Sequence, residues 1–260
     1  MKSNKLLSVV MAICLFVGIA FAADYIIREC FFSQGNENID INETVDFPAD
    51  DVNKMSVDLI KADLIIKSGE KLSLSTDSGY ITYSLKKSKL TVGEKTHSLK
   101  NAGGTVILTI PKDKLFSDFD INTGAGNITA DEISSLSFDL DYGAGNIEIN
   151  KLRIESEAKI DGGAGKIVIH DGKLNNTDIN VGVGNITVTA VMTGNTDIEC
   201  GVGKADLTLL GGEGLYSFDV DKGVGSVTIN GENVGDGKYG YGGNHIDLDG
   251  GVGSIIVSFE

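Results

Sequence analysis

The sequence predicts an all-β chain that winds as a parallel β-helix, a solenoid of about seven coils of roughly 20 residues with an N-terminal β cap. Three observations predict it. A glycine-x-glycine phrase returns seven times at nearly fixed spacing. Polar and apolar residues alternate on both sides of each copy. The two prolines, Pro48 and Pro111, lie outside the repeats, where every inner strand needs its N–H groups.

The copies read "NTGAGNIT", "DYGAGNIEI", "DGGAGKIVI", "NVGVGNITV", "ECGVGKADL", "DKGVGSVTI" and "DGGVGSIIV". Their glycine pairs are Gly124 and Gly126, Gly143 and Gly145, Gly163 and Gly165, Gly182 and Gly184, Gly201 and Gly203, Gly223 and Gly225, and Gly251 and Gly253. First glycines are 19, 20, 19, 19, 22 and 28 residues apart. A period of two marks a half-buried strand, so each copy reads as strand, tight corner, strand and return loop. One such unit cannot bury its own apolar row, but stacked units can, with coils about 4.8 Å apart. At the corner, glycine permits positive φ and close backbone approach. The residue between the glycines (Ala125, Ala144, Ala164, Val183, Val202, Val224 or Val252) is small and apolar, and is expected to point inward.

Four domain segments follow: 1–30, a signal peptide or membrane anchor; 31–51, a polar, acidic spacer; 52–118, an N-terminal β region capping the solenoid; and 119–260, the repeats. Short alternating runs from Val52 to Phe116 lack the glycine corner and are expected to cover the first coil, which would otherwise be an open strand edge. At the other end another subunit or the long final insert is expected to provide cover. The inserts 210–216 and 231–244 fall at the same point of the repeat, so they should leave one edge near the C-terminal end. There Tyr239 and Tyr241 form an interaction loop, or else a tolerated insertion packed on the end.

Lys2 and Lys5 precede an uncharged apolar run from Leu6 to Ala23. Ala20-x-Ala22 resembles a signal-peptidase site, whereas the length of the run suits a single-pass membrane anchor, the favoured reading. Either fate leaves the bulk of the chain extracytoplasmic. Cys14, Cys30 and Cys200 give no disulfide framework, and Cys30 and Cys200 read as unpaired thiols. A net charge of −15 argues against nucleic acid and against docking on anionic lipid.

Four residues before the first glycines stand Asp120, Asp139, Lys159, Asp178, Asp197, Asp219 and Asp247; two before stand Asn122, Asp141, Asp161, Asn180, Glu199, Asp221 and Asp249. All should face outward, and stacking lines them up as two ladders. Carboxylates at roughly 5 Å repel by about 1 kcal/mol per pair even in bulk water. Calcium could bridge adjacent coils at Asp139, Asp141, Asp161, Asp219, Asp221, Asp247 and Asp249; alternatively the face is solvated and keeps a flat sheet from aggregating. No other cofactor is expected.

His97, His170 and His245 fall in separate contexts, no nucleophile motif accompanies them, and Arg153 is the only arginine of the repeats. The chain therefore reads as a non-enzyme. A glycan-active site would need a cleft holding Arg153, a histidine and two carboxylates.

The alternating strands from Val52, the passage "TVILTIPKDKLFSDFDINTGAGNI" and the glycine coils to the end resemble the bacterial candidate-adhesin β-solenoid family, long known as a domain of unknown function. The resemblance implies export to the cell envelope, a binding or structural role toward a surface ligand, and no catalytic residues to carry over. An envelope-stress sensor or accessory protein is the alternative, and an enzyme on the same scaffold a further one.

Overall fold

Alternation decides which side chains form the core. In the coil around Gly182, residues Ile179, Val181, Ile186, Val188, Ala190 and Met192 are all buried, while the polar residues between them face solvent. Repeated along the chain, these inward residues make one apolar column from Phe47 to Val257. Full burial contributes about 1.5–3 kcal/mol for each large aliphatic side chain, so no single coil holds the fold.

The computed structural model describes residues 37–38, 42–95 and 102–260. The chain divides into the units Met1–Glu37 and Asn38–Glu260, and the fold is that of the second. The apolar run from Leu6 to Ala23, its cleavage or anchoring, and Cys14, Cys30 and His97 lie outside the described residues. Among the described residues the only helical pieces are the 3-10 turns Ala49–Asp51 and Glu213–Leu215, and no helix is long and apolar enough to cross a membrane. The protein is all-β, with an open sheet of solenoid-like stacking.

Strand runs unbroken from Ile128–Leu209 as the chain winds through successive coils. Its first coil pairs in parallel with Phe116–Ala125, matching Ser135 to Phe116 and Asp139 to Asp120, an offset of one repeat.

Both ends depart from simple chain order. Lys54–Leu59 lies between two parallel neighbours, Lys89–Glu94 on one side and Phe116–Ala125 on the other. Asp63–Gly69 likewise lies between Thr105–Pro111 and the start of the long run. Beyond these, Ile81–Lys86 pairs antiparallel with Lys89–Glu94, Leu72–Thr76 antiparallel with Thr105–Pro111, and Thr44–Phe47, from the stretch read as a spacer, antiparallel with Leu72–Thr76.

At the C-terminal end Asn244–Phe259 pairs in parallel with the coil below, Asp197 opposite Asp247, and with the coil above, Asp219 opposite Asp247. The segment latest in sequence is therefore inside the stack. The outermost coil, 216–229, is covered by Gly237–Gly240 and Glu232–Val234, both antiparallel to it. Of the two covers expected, the long final insert is the one seen. Short antiparallel strands rich in glycine leave a poor template for further pairing. Tyr216 ties this end together: its hydroxyl donates to the Leu210 carbonyl at 2.7 Å, and its ring packs 6.1 Å from that of Phe259.

Candidate functional site

The glycine corners stack backbone on backbone. A Cβ at Gly165 would lie 1.8 Å from the carbonyl oxygen of Gly145, and one at Gly203 would lie 1.7 Å from that of Gly184. Both glycines have positive φ, +147° and +149°. Only glycine meets both demands.

The residue between the glycines does not point inward. Val183, Val202 and Val252 are 54%, 42% and 44% exposed, Val224 is 74% exposed, and the three alanines are exposed too. The backbone turns at the glycines, so the alternation set by the preceding strand stops at the corner and the middle side chain faces solvent. In space the column runs Ala125, Ala144, Ala164, Val183, Val202, Val252, Val224, an apolar ridge along the corner.

The acidic positions do face outward and do form columns. Asp139 stands opposite Asp120, Asp197 opposite Asp247, Glu199 opposite Asp249, and Asp221 opposite Asp249 on the far side. Lysines compensate part of the face. Lys54 pairs with Asp118, Lys89 with Asp120 at 3.1 Å, Lys159 with Asp161 at 2.6 Å, and Lys238 with Asp219 at 3.0 Å. Asn180 bridges Asp161 and Asp178 through its amide nitrogen, at 3.1 and 2.8 Å.

Partial burial, then Asp141, raises the Asp139 carboxyl above the usual range, against the pull of Lys159. Partial burial, then Asp249 and Asp178, raises Asp197, and partial burial, then Asp221 and Asp247, raises Asp249. Among the described residues no three His, Cys, Asp or Glu side chains converge on a point that could hold a metal ion. The carboxylates stand in rows, a strand spacing apart.

Tyr239 and Tyr241 have different surroundings. Tyr239 packs against the core edge, and its hydroxyl bonds both the N–H and the carbonyl of Gly235, at 3.1 and 3.0 Å. Tyr241 is fully exposed. The two inserts leave one edge, as expected, and Asn230 donates to Glu213 across them at 2.9 Å.

Two constellations bear on catalysis. Arg153 grips Asp171 through both guanidinium nitrogens, at 3.1 and 2.6 Å, and holds that carboxyl below the usual range. Next in sequence to Asp171, His170 lies 2.9 Å from Glu148. The four groups that an enzyme reading would need are thus engaged with one another, and His170 and Glu148 are half-exposed rather than set in a cleft.

Second, Ser217 Oγ lies 3.2 Å from His245 Nδ1, and His245 Nε2 lies 3.1 Å from Asp247. The imidazole tautomer protonated on Nε2 satisfies both contacts. Acyl transfer also needs N–H donors aimed at a developing oxyanion. Ser217 sits in a strand paired on both edges, to Gly240 and to His245, so its backbone is committed to the sheet. This row ties two coils together.

Three anchors escaped the sequence reading. Glu94, buried in a stretch without repeats, accepts hydrogen bonds from the N–H groups of Ile60, Lys61 and Ala62 at 2.9, 2.8 and 3.0 Å. Arg153 and Asp171 lie 18 residues apart, close to one coil, a spacing that could have flagged them. Tyr142 fills the space left by Gly162, where a Cβ would come within 2.3 Å of its ring. Burial, with Cys200 adding, pushes its phenol up to about 12. Cys200 itself is buried and free, and burial raises its thiol.

No curated protein matches this chain. Several solved structures align with it, three bacterial ones among them. A candidate cell adhesion protein from Clostridium sporogenes is 17% identical, covering 87% of this chain and 100% of its own, with a TM-score of 0.35. A candidate adhesin from Bacteroides fragilis is 12% identical, covering 83% and 96%, with a TM-score of 0.40. A candidate adhesin from Parabacteroides merdae is 13% identical, covering 86% and 97%, with a TM-score of 0.30. The profile of the Toastrack DUF4097 family matches residues 38–248, most of the chain, and the chain belongs to that family.

Proposed function

We propose that the chain is an extracytoplasmic, adhesin-like binding or structural module of the bacterial cell envelope, a capped rod of seven coils held at the membrane by residues 1–30. The observation that supports this reading is repetition on the outside of the rod. The same outward residues recur coil after coil as an apolar ridge beside acidic columns. A ligand with its own repeat engages several coils at once, so weak contacts add through effective concentration. The polar groups that resemble catalytic sets are occupied in joining coils, which favours binding over chemistry.

The test is retention of the full chain on the cell-wall fraction of its own organism, with and without calcium, alongside N-terminal sequencing of the mature protein. Retention that falls when outward residues of three adjacent coils are changed together, with an intact N-terminus, supports the reading. A chain that passes through unretained removes it.

A further inference from the structure

The placement of Asn244–Phe259 has a consequence beyond capping. Its strand neighbours are the coil 195–209 below and the coil 216–229 above, each matched in parallel register. The inward residues agree across all three layers: Ile198, Leu248 and Val220; Ala205, Ile255 and Val227; Leu207, Val257 and Ile229. The corner glycines agree as well, since Gly203, Gly253 and Gly225 stack in contact. The slot thus accepts a coil by its pattern. Nothing in it reads whether that coil belongs to the same chain.

The coil above precedes the inserted segment in sequence. Until 244–259 arrives, the slot presents two facing strand edges, which are templates for any matching strand. The connection 230–243 carries Gly231, Gly235, Gly237, Gly240, Gly242 and Gly243; its two short strands pair with the outermost coil, and only Asn230 at its start bonds the inserted segment, through its N–H to the Val257 carbonyl. We propose that Asn244–Phe259 is an exchangeable coil, and that the slot between 195–209 and 216–229 takes the same segment of a second copy of this chain. Reciprocal exchange of an identical element creates a dimer with few new contacts. It joins two rods at their C-terminal ends, whatever the rods bind.

Val202 and Val252 provide the test. They are register partners and both exposed, so cysteines there should disturb the core little. Strands about 4.8 Å apart fall within the Cα range of a disulfide. The full chain with Cys14, Cys30 and Cys200 changed to Ala is made as Val202→Cys, as tagged Val252→Cys, and with both changes together. The double variant should close an internal disulfide. The two single variants, unfolded and refolded together, should give a tagged covalent dimer. A double variant that closes, with no dimer between the singles, overturns the proposal.

The unmodified chain gives an independent measurement by light scattering. A short connection has an effective concentration near the millimolar range, so refolding at about 0.5 mM should give at least about tenfold more dimer than at about 5 µM. That dimer should persist on dilution in the cold and revert only after unfolding. Monomer alone at both concentrations, or a dimer that falls apart on dilution, overturns the proposal.

Discussion

Glu94 Oε2 lies 3.0 Å from the backbone nitrogen of Ala62, and the same oxygen also accepts from Ile60 and Lys61. Three successive amides of a corner thus converge on one carboxylate brought from the strand beneath, with Gly103 donating to its other oxygen. Glu94→Ala leaves the buried Ala62 donor and the part-buried donors beside it unpaired, at a cost of about 3 kcal/mol, and Glu94→Gln retains an acceptor and costs about 1–2 kcal/mol. Urea unfolding at neutral pH should rank wild type above Gln above Ala with an unchanged denaturant slope. An Ala variant as stable as wild type would remove Glu94 as an anchor of the fold.

The glycine column predicts a sharp contrast between glycines. Gly203→Ala places a methyl 1.7 Å from the Gly184 carbonyl oxygen at a φ of +149°. It should destabilise by about 4 kcal/mol or prevent folding. Gly235→Ala meets nothing within 4 Å and needs no positive φ, so its thermal midpoint should stay close to wild type. Equal effects of the two changes would refute the close stacking of corners.

Side-chain direction at the corner is testable by paired polar substitutions. Val224→Ser, on the exposed ridge, should change stability by no more than about 0.5 kcal/mol. Val181→Ser, buried just before the corner, should cost about 3 kcal/mol. Thermal melts of the two variants check this, and a large loss from Val224→Ser would return the ridge to the interior.

Acid should help the C-terminal coils. Partial burial first, and then the carboxylates of Asp249, Asp178, Asp247 and Glu199 for Asp197 and of Asp221, Asp247 and Asp219 for Asp249, raise both carboxyls above the unfolded value near 3.9. The folded state then binds more protons than the unfolded state across the window between those values. These two groups therefore lower stability as pH rises through that window and stop doing so when protonated. Asp197→Asn should raise stability at pH 7 by roughly 0.5 kcal/mol, a figure kept small by solvent screening, and the gain should fade near pH 4. Melts of both proteins at the two pH values measure it, and a gain that grew on acidification would contradict the assignment.

The same rows set the expectation for calcium. Asp139, Asp141, Asp161, Asp219, Asp221, Asp247 and Asp249 stand in these rows, only partly compensated by Lys159 and Lys238, and a divalent ion relieves the remaining repulsion more than sodium does. Millimolar calcium should raise the melting temperature above that in sodium chloride of matched ionic strength. Identical curves with calcium and with chelator would leave a solvated acidic face.

Much of this arrangement was legible from the sequence because a coil repeats its own chemistry. Ile179 and Val181 announce an inward row, and Asp197 and Glu199 an outward one, since alternation and period are independent signals that agree. Coil order was not legible. Asp219 and Asp247 satisfy the same register, so spacing cannot say which lies next to Asp197. Val202 breaks the inward row of Ile198 and Cys200 because their alternation does not continue through the corner that begins at Gly201. Glu94 carried no signal, since a lone acid outside the repeats acquires meaning only when the corner at Ile60 to Ala62 is brought over it.

The interlaced ends of the stack also constrain how this architecture can change size. Duplicating one period between Phe116 and Leu209 inserts a layer whose upper and lower surfaces already suit its neighbours. Adding a period after Val257, or before Lys54, would part a pair of layers that grip a third. Growth by tandem duplication is therefore confined to the middle of the stack.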